Sequence, residues 1–314
     1  MANFDVFNGD ADGILSLVQL RRAEPRATTL ITGRKRDIKL LSRVQAGEGD
    51  HITVLDISMR SNAEDLLRVL NAGANVFYVD HHNAGDIPEH VSLNAVIDTS
   101  PEMCTAMLVD ECLGGAYRAW AVTAAFGDNF PKLARAKAKG HDLPLDKLAR
   151  LGMLVNYNGY GGSVEDLLYH PADLYRELEN FDTPMDFLSE NMTVFDKLEA
   201  GYEMDLLKAT HADILDQTET GHIITLPDSA GSRRISGVYG NQLAQDSPGR
   251  AHAILTAQEG GYLVSIRAPI KNRTGADTLA LQFETGGGRS AAAGINHLPD
   301  AELDRFIKAF REAF

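Results

Sequence analysis

The sequence predicts an α/β protein with three parts: a parallel-sheet domain, a helical connector and a smaller C-terminal α/β domain. Three observations predict it. Over the first hundred residues, short β-branched or aromatic runs alternate with amphipathic ones, the pattern of strands wrapped by helices into a parallel sheet. From Pro101 the pattern is almost purely helical, and beyond about residue 216 β-rich runs return before a final helix. The 314 residues, 44% hydrophobic and 24% charged, hold enough apolar material for two ordinary domains and too much for disorder.

The elements follow in order. FDVF (4–7) is a strand and GILSLVQLRRA (13–23) a helix; TTLIT (28–32) and RDIKLLSRV (36–44) repeat the pair. HITVLD (51–56) with NAEDLLRVLN (62–71), and NVFYVD (75–80) with LNAVID (93–98), complete the sheet by about residue 98. PEMCTAMLVDECL (101–113), YRAWAVTAAFGD (117–128) and LDKLARLGMLV (145–155) are helical. A longer polar helix over roughly 194–214, with charges all round it, reads as the connector. HIITL, AHAILTA, YLVSIRAP, a glycine cluster and PDAELDRFIKAFREAF close the chain. The expected organisation is a catalytic domain over 1–190, a helical linker over 191–215 and a substrate-binding domain over 216–314.

Bulk properties exclude several roles. The N-terminus MANFDVFNGD lacks a basic segment followed by an apolar core, and no run approaches the roughly 20 apolar residues needed to cross a bilayer. Cys104 and Cys112 sit eight apart on one predicted helix, too distant to bridge, so a reducing cytoplasm is expected. A net charge of −14 argues against a tight grip on long nucleic acid but allows a short anionic ligand at a locally basic or metal-filled site.

Chemistry gathers at the strand ends. The first strand runs into Asn8, Asp10 and Asp12, the third into Asp56, and the fourth into Asp80, His81 and His82. In a parallel sheet these ends share one edge, where ligands sit. Asp128, after a helix whose apolar face can pack there, adds a fourth acid. Such a cluster is unstable bare, because each ionised group raises the pKa of the next. A divalent cation removes that cost, and an oxygen-rich set with few imidazoles suits Mn²⁺ or Mg²⁺ better than Zn²⁺. The number of acids suggests two ions about 3.5–4 Å apart, able to clamp an in-line phosphoryl displacement. FNGDADG also imitates the start of a calcium loop, but Gln19 stands at the closing position and a strand precedes it.

DADG at 10–13, the isolated Asp56, Asp80-His81-His82 and the GD at 127–128 resemble, in order, the four motifs of the DHH phosphoesterase superfamily. GGGRSAAAG at 286–294, with SIRAP at 265–269, resembles that superfamily's associated substrate domain. The resemblance implies two Mn²⁺ ions, with Mg²⁺ or Co²⁺ as substitutes: Asp10 and Asp56 hold one, while Asp12, Asp56, His81 and Asp128 hold the other. It makes Asp56 the bridge and a water between the ions the nucleophile, and turns His82 to the scissile phosphate. Arg267 and the loop Gly286, Gly287, Gly288 and Arg289 would hold the substrate from across the cleft. Two departures stand out. Val6 replaces a His of the pyrophosphatase-like and nanoRNase-like branches, and Asn8 replaces an Asp of the RecJ-like branch. The first ion is then expected to be held more weakly or to recruit Asn8. Arg289 replaces the usual His, keeping a cation but losing a titrating group.

Other features have plainer readings. LVNYNGYGG (154–162) reads as a helix end, with Tyr157 and Tyr160 as candidate stacking platforms for bases. GRKRD (33–37), at another strand end, reads equally as a phosphate contact or a solvated helix start; His141, His170 and His222 read as structural or surface residues. The resemblance is greatest to the nanoRNases, which cleave short oligonucleotides. The alternatives are small-nucleotide or cyclic-nucleotide hydrolysis, pyrophosphate or polyphosphate cleavage, and a nucleotide-binding regulator without turnover. A homodimer is compatible with this organisation.

Overall fold

A computed structural model describes residues 1–314. Its first sheet is wholly parallel, built from β1 (Asn3–Phe7), β2 (Thr29–Ile31), β3 (His51–Leu55), β4 (Asn75–Asp80) and β5 (Leu93–Ile97). The order β2-β1-β3-β4-β5 reverses direction between β1 and β3, the switch point where open α/β sheets leave a crevice. Phe7 pairs with Leu55 and Leu55 with Val79, so the residues that follow these three strands emerge at one level. Between β1 and β2 runs α1 (Ala11–Ala23), buried from Ala11 to Arg21 and capped by the Asp10 side chain on the Gly13 N–H. The buried Arg21–Asp5 pair, 2.6 Å apart, ties its last turn back to β1. The crossover α2 (Ala63–Asn71) lays Leu66, Val69 and Leu70 on the sheet.

The helical stretch comprises α3 (Thr105–Cys112), α4 (Arg118–Gly127), α5 (Pro131–Lys137), α6 (Leu145–Asn158), α7 (Pro171–Leu178), α8 (Pro184–Glu190) and α9 (Met192–Thr210). Two expectations are corrected here. The segment 36–44 is not a helix but a single 3₁₀ turn at Leu40–Arg43. Its start is pinned instead by the Lys35 N–H on Gly159 O at 2.9 Å and by Asp37, which accepts the Arg34 N–H. Such side-chain and loop bonds compete with helix. The helix expected from Pro101 begins only at Thr105, where the Asp12 carboxylate accepts its first backbone N–H groups.

Clustering of the backbone divides the chain into Met1–Glu199 and Ala200–Phe314, a division that falls inside α9. The second unit holds β6 (Asp213–Gln217), β7 (Gly221–Leu226), α10 (Ala230–Asp246), β8 (Ala251–Gln258), β9 (Gly261–Arg267), α11 (Ala276–Ala280), β10 (Gly286–Arg289), β11 (Ala292–Pro299) and α12 (Leu303–Ala313). Its sheet order is β10-β11-β9-β8-β7-β6, antiparallel except between β7 and β8. On one side of α12, Phe306, Ala309 and Phe310 are buried, and Phe306 meets Phe283 with ring centres 5.7 Å apart. The glycine cluster expected as a loop is β10. A Cβ on Gly286 would lie 1.7 Å from Ala280 O, and one on Gly288, whose φ is +144°, would lie 2.4 Å from the Ala293 Cα. These two glycines therefore let the strand lie against α11 and β11. Gly287 has nothing within 4 Å of such a Cβ.

Candidate metal centre

Asp10, Asp12, Asp56, His81, His82 and Asp128 converge at the ends of β1, β3 and β4, with α3 and α4 beside them. Asp12 is fully buried, its two oxygens taking the Ala106 N–H at 2.8 Å and the Thr105 N–H at 2.7 Å, the first turn of α3. Helix N-terminal donors favour a carboxylate there. Asp56 accepts the Thr105 hydroxyl at 3.0 Å and sits at φ +60°, a left-handed conformation that few non-glycine residues adopt. The outlier lies where the chain leaves β3 for the shared edge.

His81 has the geometry that a metal ligand needs. Its Nδ1–H donates to Met103 O at 2.8 Å, which fixes the tautomer and leaves the Nε2 lone pair for an ion. That Nε2 lies 3.6 Å from Asp56 Oδ1, 3.8 Å from Asp128 Oδ2 and 3.9 Å from Asp12 Oδ2. Ligand atoms of Asp12, His81 and Asp128 lie within 4.8 Å of one another, as do those of Asp56, His81 and His82. The donor set of oxygens with imidazole fits one hard divalent ion well. His82 differs: its Nδ1–H donates to buried Asp80 at 2.7 Å, and its side chain stays 38% exposed, leaving Nε2 for an incoming group.

Charge is unevenly compensated. Burial pushes the Asp56 carboxyl well above its ordinary pKa, reinforced by Asp10, Asp12, Asp128 and Asp80. Burial raises Asp12 as well, with Asp128 and Asp10 adding to it against the pull of His81. For Asp10 burial acts the same way, but the Lys35 ammonium outweighs it and holds the pKa below the ordinary value. Burial opposes a proton on His82, yet its bond to Asp80 and that acid's charge keep the pKa above the usual histidine value.

Lys35 is the residue that sequence reasoning did not place here. Its Nζ sits 2.6 Å from Asp10 Oδ2 and 2.8 Å from Asp128 Oδ1. The GRKRD run is therefore not a solvated helix start; its middle residue turns into the centre. Asn8 lies beside it, 5% exposed, with Nδ2 donating to Lys35 O at 3.4 Å and Oδ1 unpartnered. Neither Asn8 nor Asp10 falls within the two ligand groups above. Tyr157 is fully buried in the core and offers no stacking face, whereas Tyr160 lies under the Lys35 ammonium, 5.6 Å from its ring centre.

Backbone contact fixes Asp128. It follows α4, and α4 meets α6 through glycines: a Cβ on Gly152 would lie 2.1 Å from Thr123 O, and one on Gly127 2.5 Å from Gly152 O. In the second unit, Arg267 on β9 pairs in register with Ala292 on β11, and Ala292 with Arg289 on β10. The Arg267 guanidinium binds Asn241 Oδ1 at 2.6 Å, Ser265 Oγ and Ile266 O at 3.0 Å, and Gly237 O at 3.1 Å, while Arg289 is exposed.

No protein-family model matches this sequence, and no curated protein sequence matches it. Solved structures do share its fold. Exonuclease RecJ bound to manganese superposes with a TM-score of 0.65 at 16% identity, covering 99% of this chain and 90% of that one. The DHH domain of a member of a ribosomal-protein family gives 0.63 at 13% identity, covering 99% and 86%. The pGpG-specific phosphodiesterase PggH from Vibrio cholerae gives 0.58 at 18% identity, covering 100% of both chains. No helix is long and apolar enough to cross a membrane.

Proposed function

We propose that this chain, which has the fold of the DHH phosphoesterases, is a divalent-metal-dependent hydrolase of short oligonucleotides, with Mn²⁺ as the working ion. The observation that supports it most is the gathering of Asp12, Asp56, His81 Nε2 and Asp128 at one switch-point edge, with the His81 tautomer already fixed for coordination. A bound divalent ion supplies Lewis-acid polarisation of a phosphoryl oxygen and activation of a water. The chain's own groups do the rest. His82, oriented by its bond to Asp80, which holds its pKa above the usual histidine value, presents its outward Nε2 to a phosphoryl or leaving-group oxygen. In the second unit, exposed Arg289 offers an edge group for an anion, with Arg267 as a fixed positive charge.

The full-length match to a phosphodiesterase specific for a dinucleotide supports a substrate of a few nucleotides, and so does the net charge of −14. Long strands need an extended positive track. A Mn²⁺-dependent hydrolysis panel tests this reading with a two- to five-nucleotide RNA, a long single strand, 3′-phosphoadenosine 5′-phosphate, a cyclic nucleotide and pyrophosphate. The short RNA should turn over fastest; turnover of pyrophosphate alone would sink the assignment.

A further inference from the structure

An ammonium has three donors, and Lys35 has an acceptor for each: Asp10 Oδ2 at 2.6 Å, Asp128 Oδ1 at 2.8 Å and Asn156 Oδ1 at 3.2 Å. Asp10 Oδ2 is thus held by a cation, and its Oδ1 accepts the Gly13 N–H at 3.0 Å. The lysine is not a long side chain straying inward. Its own N–H is bonded to Gly159 O, and its carbonyl receives the Asn8 amide. Where a second metal ion would need another anionic ligand beside Asp10, the chain has neutral Asn8 and apolar Val6. The oxygens Asp12 Oδ2, Asp56 Oδ1 and Asp128 Oδ2 each lie 3.6–3.9 Å from His81 Nε2, and no lysine or arginine is paired with them.

We propose that the centre takes a single divalent ion, at Asp12, Asp56, His81 and Asp128, and that the Lys35 ammonium stands in for a second one at Asp10. The inference rests on the metal-dependent reading above and deepens it: the residues fit one ion and do not fit two.

Equilibrium dialysis of the full chain against Mn²⁺, followed by elemental analysis and electron paramagnetic resonance, tests it. One Mn²⁺ per chain is expected, with the six-line spectrum of an isolated ion. Lys35→Met, which frees the Asp10 and Asp128 oxygens, should raise the count towards two and bring in spin-coupled features. Two ions per wild-type chain, or a coupled spectrum, overturns the proposal whether or not the variant folds. A folded Lys35→Met that still binds one ion overturns the part given to the lysine. No bound Mn²⁺ at all overturns the metal reading and this inference with it. One bound ion without hydrolysis of any phosphoester sinks the proposed function alone and leaves the ion count standing.

Discussion

Asp56→Asn separates the cost of the acid cluster from its purpose. Asparagine tolerates a φ of +60° and its Oδ1 can still accept the Thr105 hydroxyl, so the fold is retained. Without metal, burial and the neighbouring Asp10, Asp12, Asp128 and Asp80 favour the neutral form of Asp56, which asparagine imitates. The metal-free wild type therefore loses stability as pH rises from the unfolded value of 3.8 through the raised folded pKa, and the variant does not. At neutral pH the metal-free variant should melt at or above the wild type. With Mn²⁺ at a hundredfold its dissociation constant, the wild type should gain about 2.7 kcal/mol. For a unit of this size that is a rise of roughly 5–11 °C. Loss of a ligand should weaken binding by at least about a hundredfold, the upper range for outer-shell changes, which leaves about 0.4 kcal/mol, or about 1 °C, at the same Mn²⁺ concentration. Thermal melts with and without Mn²⁺, beside a hydrolysis assay, measure all of this. A variant that melts well below the metal-free wild type, or that keeps the full Mn²⁺-induced shift, would refute the reasoning.

Three further predictions concern other parts of the molecule. Gly152→Ala drives a Cβ to 2.1 Å from Thr123 O, so α4 and α6 must part. It should cost roughly 1–3 kcal/mol by denaturant titration and weaken Mn²⁺ binding through Asp128, and unchanged affinity would dissociate the helix contact from the site. Burial, with His222 and Arg250 nearby, lowers His252 to about 4, so its contribution to stability is complete above about 6.5 and lost as pH falls towards 4. Allowing for partial screening, the change is about 1–2 kcal/mol; His252→Leu should flatten that part of the stability–pH curve, and parallel curves would contradict the assignment. Arg289→Ala should raise KM with little change in kcat, as for loss of uniform substrate binding, and a kcat defect at constant KM would place Arg289 in the chemical step instead.

Most of the first sheet and most of the acids were legible because the signals are local. Each strand is a short β-branched or aromatic run, and β1, β3 and β4 lead directly into the acids and histidines of the candidate centre. Parallel packing then collects Asp12, Asp56, His81 and His82 without further information. What was not legible depends on distant backbone. Lys35 enters the centre only because its N–H finds Gly159, far along the chain, and a basic run followed by Ile38, Leu40 and Leu41 carries the same period whether or not it coils. The glycines of β10 look like a loop because glycine weakens strands, and only the nearness of Ala280 and Ala293 explains them. Tyr157 reads as a candidate stacking platform at a helix end, yet α6 turns it into the core.

The glycine contact between α4 and α6 bears on how relatives of this chain can be found. Side chains can drift while a fold persists, as identities of 13–18% beside TM-scores of 0.58–0.65 illustrate. A place where two helix backbones touch admits no side chain, so it restricts the alphabet to one letter without adding any hydrophobic or charged signal. A search template that requires glycine at 127 and 152 together with the acid at 128 would select on helix separation as well as on chemistry. It would retrieve chains that place the acid after this helix by the same geometry even where the surrounding composition has changed beyond recognition.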